Sequence, residues 1–317
     1  MKILLTLFYG LIFTLPLGMH AASLNGFNLD RLTIPIEQVL SGGPGRDGIP
    51  AIIKPRFVDG KDADFLKKND VVLGLTMDGK SKAYPIKILN WHEIVNDSIS
   101  NRKYVVSYCP LCGSGMAFLT QSGGESLTFG VSGLLYNSDV LMYDHQTESL
   151  WSQIRGEAIS GTAAGRKLTQ YPLTLTRWKQ WYSEHPDTLV LSTRTGFYRN
   201  YSQDPYAGYS RSPRLFFPVA NKAPSSYATK ETVLGYKGDQ GTIAFPLSEL
   251  RKHDQGEFNY LFEGQQLSIH WDRENQSAWI TDSSGKQLAS TMLYWFAWYA
   301  FYPDTKVFKA EMFKAGD

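Results

Sequence analysis

Residues 72 to 89, VLGLTMDGKSKAYPIKIL, set two apolar-rich runs on either side of Asp78 and Gly79, the pattern of a β-hairpin closed by a glycine turn. The pattern returns at 233 to 250, VLGYKGDQGTIAFPLSEL, around Asp239 to Gly241. After the first hairpin the period changes. In PIKILNWHEIVND, Pro85 suits a helix start, and Ile88, Trp91, His92 and Val95 fall at three- and four-residue spacing, which predicts a helix with His92 on its inward side. Val105, Val106 and Tyr108 then predict a strand leading into YCPLCG, and residues 129 to 153 carry a further apolar strand pattern. RWKQWYSEHPDT (177 to 188) and YWFAWYAFYPDT (294 to 305) predict aromatic helices that stop before Pro186 and Pro303.

These segments match in pairs. The two hairpins align without gaps, Val72, Leu73, Gly74, Ala83, Pro85 and Leu89 recurring as Val233, Leu234, Gly235, Ala244, Pro246 and Leu250. YDHQTESLW (143 to 151) shares its Asp, Ser and Trp positions with WDRENQSAW (271 to 279), and the aromatic helices form the third pair in the same order. The expectation is a β-rich α+β fold of two internally duplicated lobes, 23–192 and 233–317, joined by a crossing loop at 193–232 that shows no helical or strand period. The glycine- and proline-rich stretch at 41 to 50 predicts an irregular lead-in over the first lobe. Val72 to Asp144 spans 72 residues and Val233 to Asp272 spans 39, so the first lobe carries 33 more, placed between about 90 and 142. His92, Cys109 and Cys112 fall in that segment, which assigns any chemistry to the first lobe.

Residues 1–22 run from Lys2 through a long apolar stretch to Ala21 and Ala22, the layout of a signal peptide. A periplasmic or secreted protein follows, with no stable membrane span in the mature chain. The chain holds 32 Lys and Arg against 30 Asp and Glu, a formal +2 that falls to +1 once Lys2 leaves with the leader. So small a charge gives no handle for nucleic acid.

Cys109 and Cys112 are the chain's two cysteines, and a Cys-x-x-Cys turn at a strand end is half of a zinc knuckle. Two sulfurs and the imidazole of His92 would suit copper or zinc, with His145, Met116 and Met142 as weaker ligand candidates. His145 ranks lower because Arg273 stands at the equivalent place in the second lobe, and each methionine reads first as core. Two alternatives stay open. The pair could exchange disulfides as a periplasmic thiol–disulfide oxidoreductase with a redox partner, or form a structural disulfide in a non-catalytic ligand-binding protein. Tyr108, Tyr136, Asn137, Ser138 and Asp139 are candidate contacts for a small molecule, with the polar 136 to 139 loop at the mouth of the cysteine site, although Asn, Ser and Asp are also what a hairpin turn uses. Glu93 reads as a solvated helix glutamate, and Asp144, Ser149 and Trp151 as structural because they recur. No Gly-x-Ser-x-Gly elbow, His-Glu-x-x-His pair or phosphate loop is present, so nothing supports a hydrolase or nucleotide reading.

Taken together, AYPIKILNWHEIVND, YCPLCGSGMAF, FGVSGLLYNSDVLMYD and SLWSQIRGEAISG resemble a bacterial and archaeal family of exported proteins catalogued as domain of unknown function 3179. The likeness extends from about residue 47 to 310. It implies export and a cysteine-pair signature that His92, Cys109 and Cys112 match, and it implies no activity.

Overall fold

The computed structural model describes residues 23–311 except Asp30, Gly123 and Asp254. Residues 1–22, expected to be a signal peptide, lie outside the described residues. Strand accounts for 41% of the described residues and helix for 13%, so the fold is the expected β-rich α+β.

In chain order the first half holds β1 (Val39–Ser41), β2 (Phe57–Asp59), β3 (Val71–Met77), β4 (Lys80–Pro85) and helix α1 (Ile86–His92). Then come β5 (Ile94–Ile99), β6 (Arg102–Cys109), β7 (Ser114–Leu119), β8 (Phe129–Tyr136), β9 (Asp139–Asp144) and β10 (Leu150–Ser152). β11 (Glu157–Ala158), β12 (Thr169–Tyr171), β13 (Thr174–Arg177), helix α2 (Trp178–Glu184) and β14 (Leu189–Leu191) complete it. Three larger sheets result, ordered β13-β3-β4-β14-β2, β12-β7-β6-β5 and β11-β10-β9-β8-β1, beside two two-stranded hairpins, one of them Ser23–Leu24 with Phe27–Asn28. The second half holds β15 (Thr232–Lys237), β16 (Thr242–Pro246), α3 (Leu247–Leu250), β17 (Glu257–Phe262), β18 (Gln265–Asp272), β19 (Ser277–Asp282), β20 (Ser290–Tyr294), α4 (Trp295–Phe301) and β21 (Lys306–Val307).

The hairpins form where the pattern predicts them. Met77 pairs with Lys80 across Asp78 and Gly79, which take φ of 51° and 73°, the two positive values a type I′ turn needs. Around each hairpin the neighbours agree in position and sense. β13 runs antiparallel to β3 and β14 parallel to β4, as β20 runs antiparallel to β15 and β21 parallel to β16. The helix contacts agree as well. A Cβ on Gly74 would lie 2.2 Å from the Trp181 ring, and one on Gly235 would lie 2.4 Å from the Trp298 ring. Each indole in turn donates to a threonine seven residues on, Trp181 to Thr188 at 3.0 Å and Trp298 to Thr305 at 2.8 Å. β5 to β7 and the short hairpin of Gln121–Ser122 with Glu125–Ser126 occupy residues 94 to 126, inside the stretch expected to hold the additional length.

Helix α1 is shorter than its apolar period suggests. It ends at His92, Glu93 takes φ 55°, and Val95 belongs to β5, where it pairs with Val106. The Glu93 amide makes the last helical bond, to Leu89 O, while its carbonyl already accepts from Tyr108 in β6. Sheet pairing therefore takes over the chain within one residue.

One of the apolar clusters spans both halves. Cys109, Cys112, Met116 and Trp151 pack in a cluster with Val233, Leu293, Trp295, Phe296 and Trp298. Residues 193 to 231 cross between the halves with a single 3₁₀ turn at Tyr209–Arg211, and Tyr209 is buried in that cluster. The lead-in packs over β8 as expected, Gly42 and Asp47 donating their amides to Gly133 and Val131. Among the described residues no helix is long and apolar enough to cross a membrane.

Candidate metal centre

Two hairpin turns meet at the cysteines. The first joins β6 to β7, closing on the pair Cys109 and Ser114, so the cysteines stand at the start and near the end of one tight loop. Gly113 takes φ 62° there and lies against the Tyr294 ring, which a Cβ would approach to 2.9 Å, so glycine serves both the turn and the contact. Behind the turn Gln153 accepts from Ser114 Oγ at 2.7 Å and donates to Ser107 Oγ at 3.1 Å, all three fully buried. From the second half, the Tyr294 amide donates to Cys112 O at 2.8 Å.

The second turn joins β8 to β9, with Tyr136 paired to Asp139 and positive φ at both Asn137 (52°) and Ser138 (66°). This is again type I′ geometry, which asparagine tolerates well. The turn presents the Ser138 carbonyl to the cysteines. Cys109 Sγ and Cys112 Sγ donate to it at 3.8 and 3.4 Å. A ligand oxygen of Asp139 and the two sulfurs all lie within 4.8 Å of one another.

Burial governs the electrostatics. Asp139 is fully buried; one carboxyl oxygen accepts the Ile154 amide at 3.0 Å, and the other, Oδ1, has among the described residues only the two thiols, weak donors, to answer it. Its pKa is pushed up to about 7 by loss of water, against the pull of the Ile154 amide. Glu93 is buried too, and loss of water, with the Asp139 charge second, pushes it to about 8. The same desolvation raises both thiols. Two thiols and a carboxyl thus stand together, with Glu93 close by, and among the described residues no basic side chain is hydrogen-bonded to any of them, an arrangement that a cation replacing their protons would satisfy.

The predicted residues separate into those the fold gathers here and those it does not. Cys109, Cys112, Ser138 and Asp139 come together. Asn137 is buried beside them, its side chain accepting the Ala220 amide at 2.8 Å and donating to Ala300 O at 3.4 Å, so the 136 to 139 loop is a sealed turn rather than an open mouth. Tyr108 is buried in β6, and Tyr136 packs edge-on against Phe301. Met116 and Met142 lie in the shared core. His92 is inward as expected but turned elsewhere, with Nδ1 on Pro50 O at 2.8 Å and Nε2 on Tyr201 Oη at 2.7 Å. Both its nitrogens are taken, and it is not in the group of ligand atoms. His145 is exposed and stacks on Tyr143. Asp144 caps its turn through the Thr147 amide, as Asp272 does through Asn275, which fits the structural role expected for it. Glu93, expected in solvent, is buried instead, near enough for its charge to act on Asp139 and Cys109, because the helix ends at His92 and the chain reverses at Glu93.

A family model matches residues 46–305, most of the chain, and its description is "protein of unknown function (DUF3179)". The chain belongs to this family. No curated protein and no solved structure matches it. Family membership therefore leaves the chemistry to be argued from the site. Disulfide exchange needs an accessible thiolate, and here the sulfurs are 1% and 0% exposed with raised pKa values, the opposite of an activated pair.

Proposed function

We propose that the cysteine turn is a closed metal centre, held by Cys109, Cys112 and Asp139, in a protein exported from the cytoplasm. The observation that carries this is Asp139 Oδ1, wholly buried beside two buried thiols and without a strong donor among the described residues. An unsatisfied buried carboxyl oxygen costs about 1–3 kcal/mol or more, which a bound cation would recover. Zinc fits better than Cu(I), because a carboxylate is an ordinary zinc ligand and a poor one for a soft monovalent ion. The Ser138 carbonyl suits the fourth position. Around a tetrahedral zinc with sulfur at ~2.3 Å and oxygen at ~2.0 Å, sulfur and oxygen ligands are about 3.5 Å apart, and Ser138 O stands 3.8 and 3.4 Å from the two sulfurs. With no position left for substrate, the centre would hold structure rather than perform chemistry.

Metal analysis of protein secreted without an affinity metal tests this, with thiols counted after denaturation. The expected result is close to one zinc per chain, lost in Cys109→Ser/Cys112→Ser and weakened more than about 10-fold in Asp139→Asn. A metal-free protein with no titratable thiol would mean a disulfide and overturn the proposal.

A further inference from the structure

At the end of α1, His92 anchors a hydrogen-bonded chain whose direction is fixed. Pro50 O can only accept, so His92 Nδ1 carries the proton that bonds it at 2.8 Å. Burial lowers the His92 pKa and keeps the ring neutral, which makes Nε2 an acceptor. Tyr201 Oη, at 2.7 Å, must then donate to Nε2, and Thr195 Oγ1, at 2.6 Å from the same phenol oxygen, must donate to it. The phenol has spent its proton and keeps one lone pair. His92 and Thr195 are buried, while Tyr201 is half-buried and lines a cleft of about 460 Å³.

The cleft wall has a definite chemistry. Phe65, Phe197 and Tyr198 give it aromatic faces, with Phe197 42% and Tyr198 99% exposed, an unusual amount of open ring for two adjacent residues. Two cations reach it. Lys87 is already paired with Asp70 at 2.6 Å, whereas Arg199 makes no ion pair among the described residues and donates to Tyr198 O at 3.0 Å. Arginine's planar fork matches a carboxylate.

We infer that this cleft binds a small aromatic carboxylate bearing a hydrogen-bond donor, its anion on Arg199, its ring against Phe197 and Tyr198, and its donor on the Tyr201 oxygen. The site is separate from the cysteine centre and does not depend on the metal there.

Calorimetric titration with 4-hydroxybenzoate, 3-hydroxybenzoate, benzoate and 4-hydroxybenzamide is the test. At least one hydroxybenzoate is expected to bind about 3- to 10-fold more tightly than benzoate, the worth of one neutral hydrogen bond, and the uncharged amide more weakly than either. Arg199→Gln, a half-exposed substitution that the fold tolerates, should weaken the carboxylates at least 10-fold. Tyr201→Phe should abolish the preference for the hydroxyl while leaving benzoate affinity within about twofold. Unchanged affinity in Arg199→Gln, or no binding of any carboxylate to the wild-type protein at 10 mM, would overturn the inference.

Discussion

At the scale of single residues, the cysteine site gives the metal-free protein an unusual pH profile. Asp139 titrates near 7 and Glu93 near 8 because both are buried, whereas in the unfolded chain they would titrate near 4. Between those values the folded state holds more protons than the unfolded state, so stability falls as pH rises. Their contribution is complete below about pH 4 and is lost through about pH 8. In urea titrations of chelated, reduced protein, the midpoint should therefore move to lower urea concentration as pH rises across that window. Glu93→Gln should flatten the upper part of the slope. A midpoint that climbs from pH 5 to 8 would show that these carboxyls are paired or solvated. The turn around the cysteines was legible in YCPLCG, because tight-turn chemistry is local. The partnership of Asp139 with the sulfurs was not, since it depends on the register of β8 and β9 bringing a second turn to the first. The one local sign was an acid opening the otherwise apolar run DVLMY, where a solvated aspartate would be out of place.

At the scale of elements, the paired hairpins and aromatic helices were readable because each is set by short-range pattern, a two-residue turn in one case and a proline stop in the other. The end of α1 was not. Ile88, Trp91, His92 and Val95 keep helical spacing by coincidence, while pairing of Ile94 and Val95 with Ser107 and Val106 claims the residues after Glu93 for a strand. Tertiary pairing overrode local periodicity there. That length decides which way His92 and Glu93 face, and so which site each serves. The hairpin glycines offer a direct check on how the helices are seated. An alanine methyl at Gly74 or Gly235 would fall inside the van der Waals radius of a buried indole, and neither ring is free to retreat, since each also bonds a threonine. Gly74→Ala and Gly235→Ala should each cost about 1–3 kcal/mol, the usual penalty for overpacking. Alanine at Gly79, which has open space around it, should cost less through its positive φ alone. Equal losses at all three would mean that backbone strain, not the tryptophan contact, sets the requirement.

At the scale of the whole molecule, the site stands where the two halves lean on each other. Tyr294 reaches the cysteine turn through its amide, Asn137 ties the second turn to Ala220 in the crossing segment and to Ala300 in α4, and Gln170 donates to Thr291 at 2.9 Å. The apolar cluster runs through the same seam, so neither half can expose its side of the core without opening the other. Unfolding should accordingly be one transition, with far-ultraviolet dichroism and tryptophan fluorescence coincident, although a chain of 317 residues could have had two. A metal bound at the seam stabilises the folded state as a whole, by about 4 kcal/mol when its concentration is a thousand times its dissociation constant. Chelation should therefore lower the midpoint temperature on the order of 10 °C without splitting the curve, and Cys109→Ser/Cys112→Ser should sit at the chelated value with or without zinc. Two separate transitions in the metal-free protein, with chelation moving one of them, would show that the centre stabilises the first half alone and that the shared cluster is not a cooperative unit.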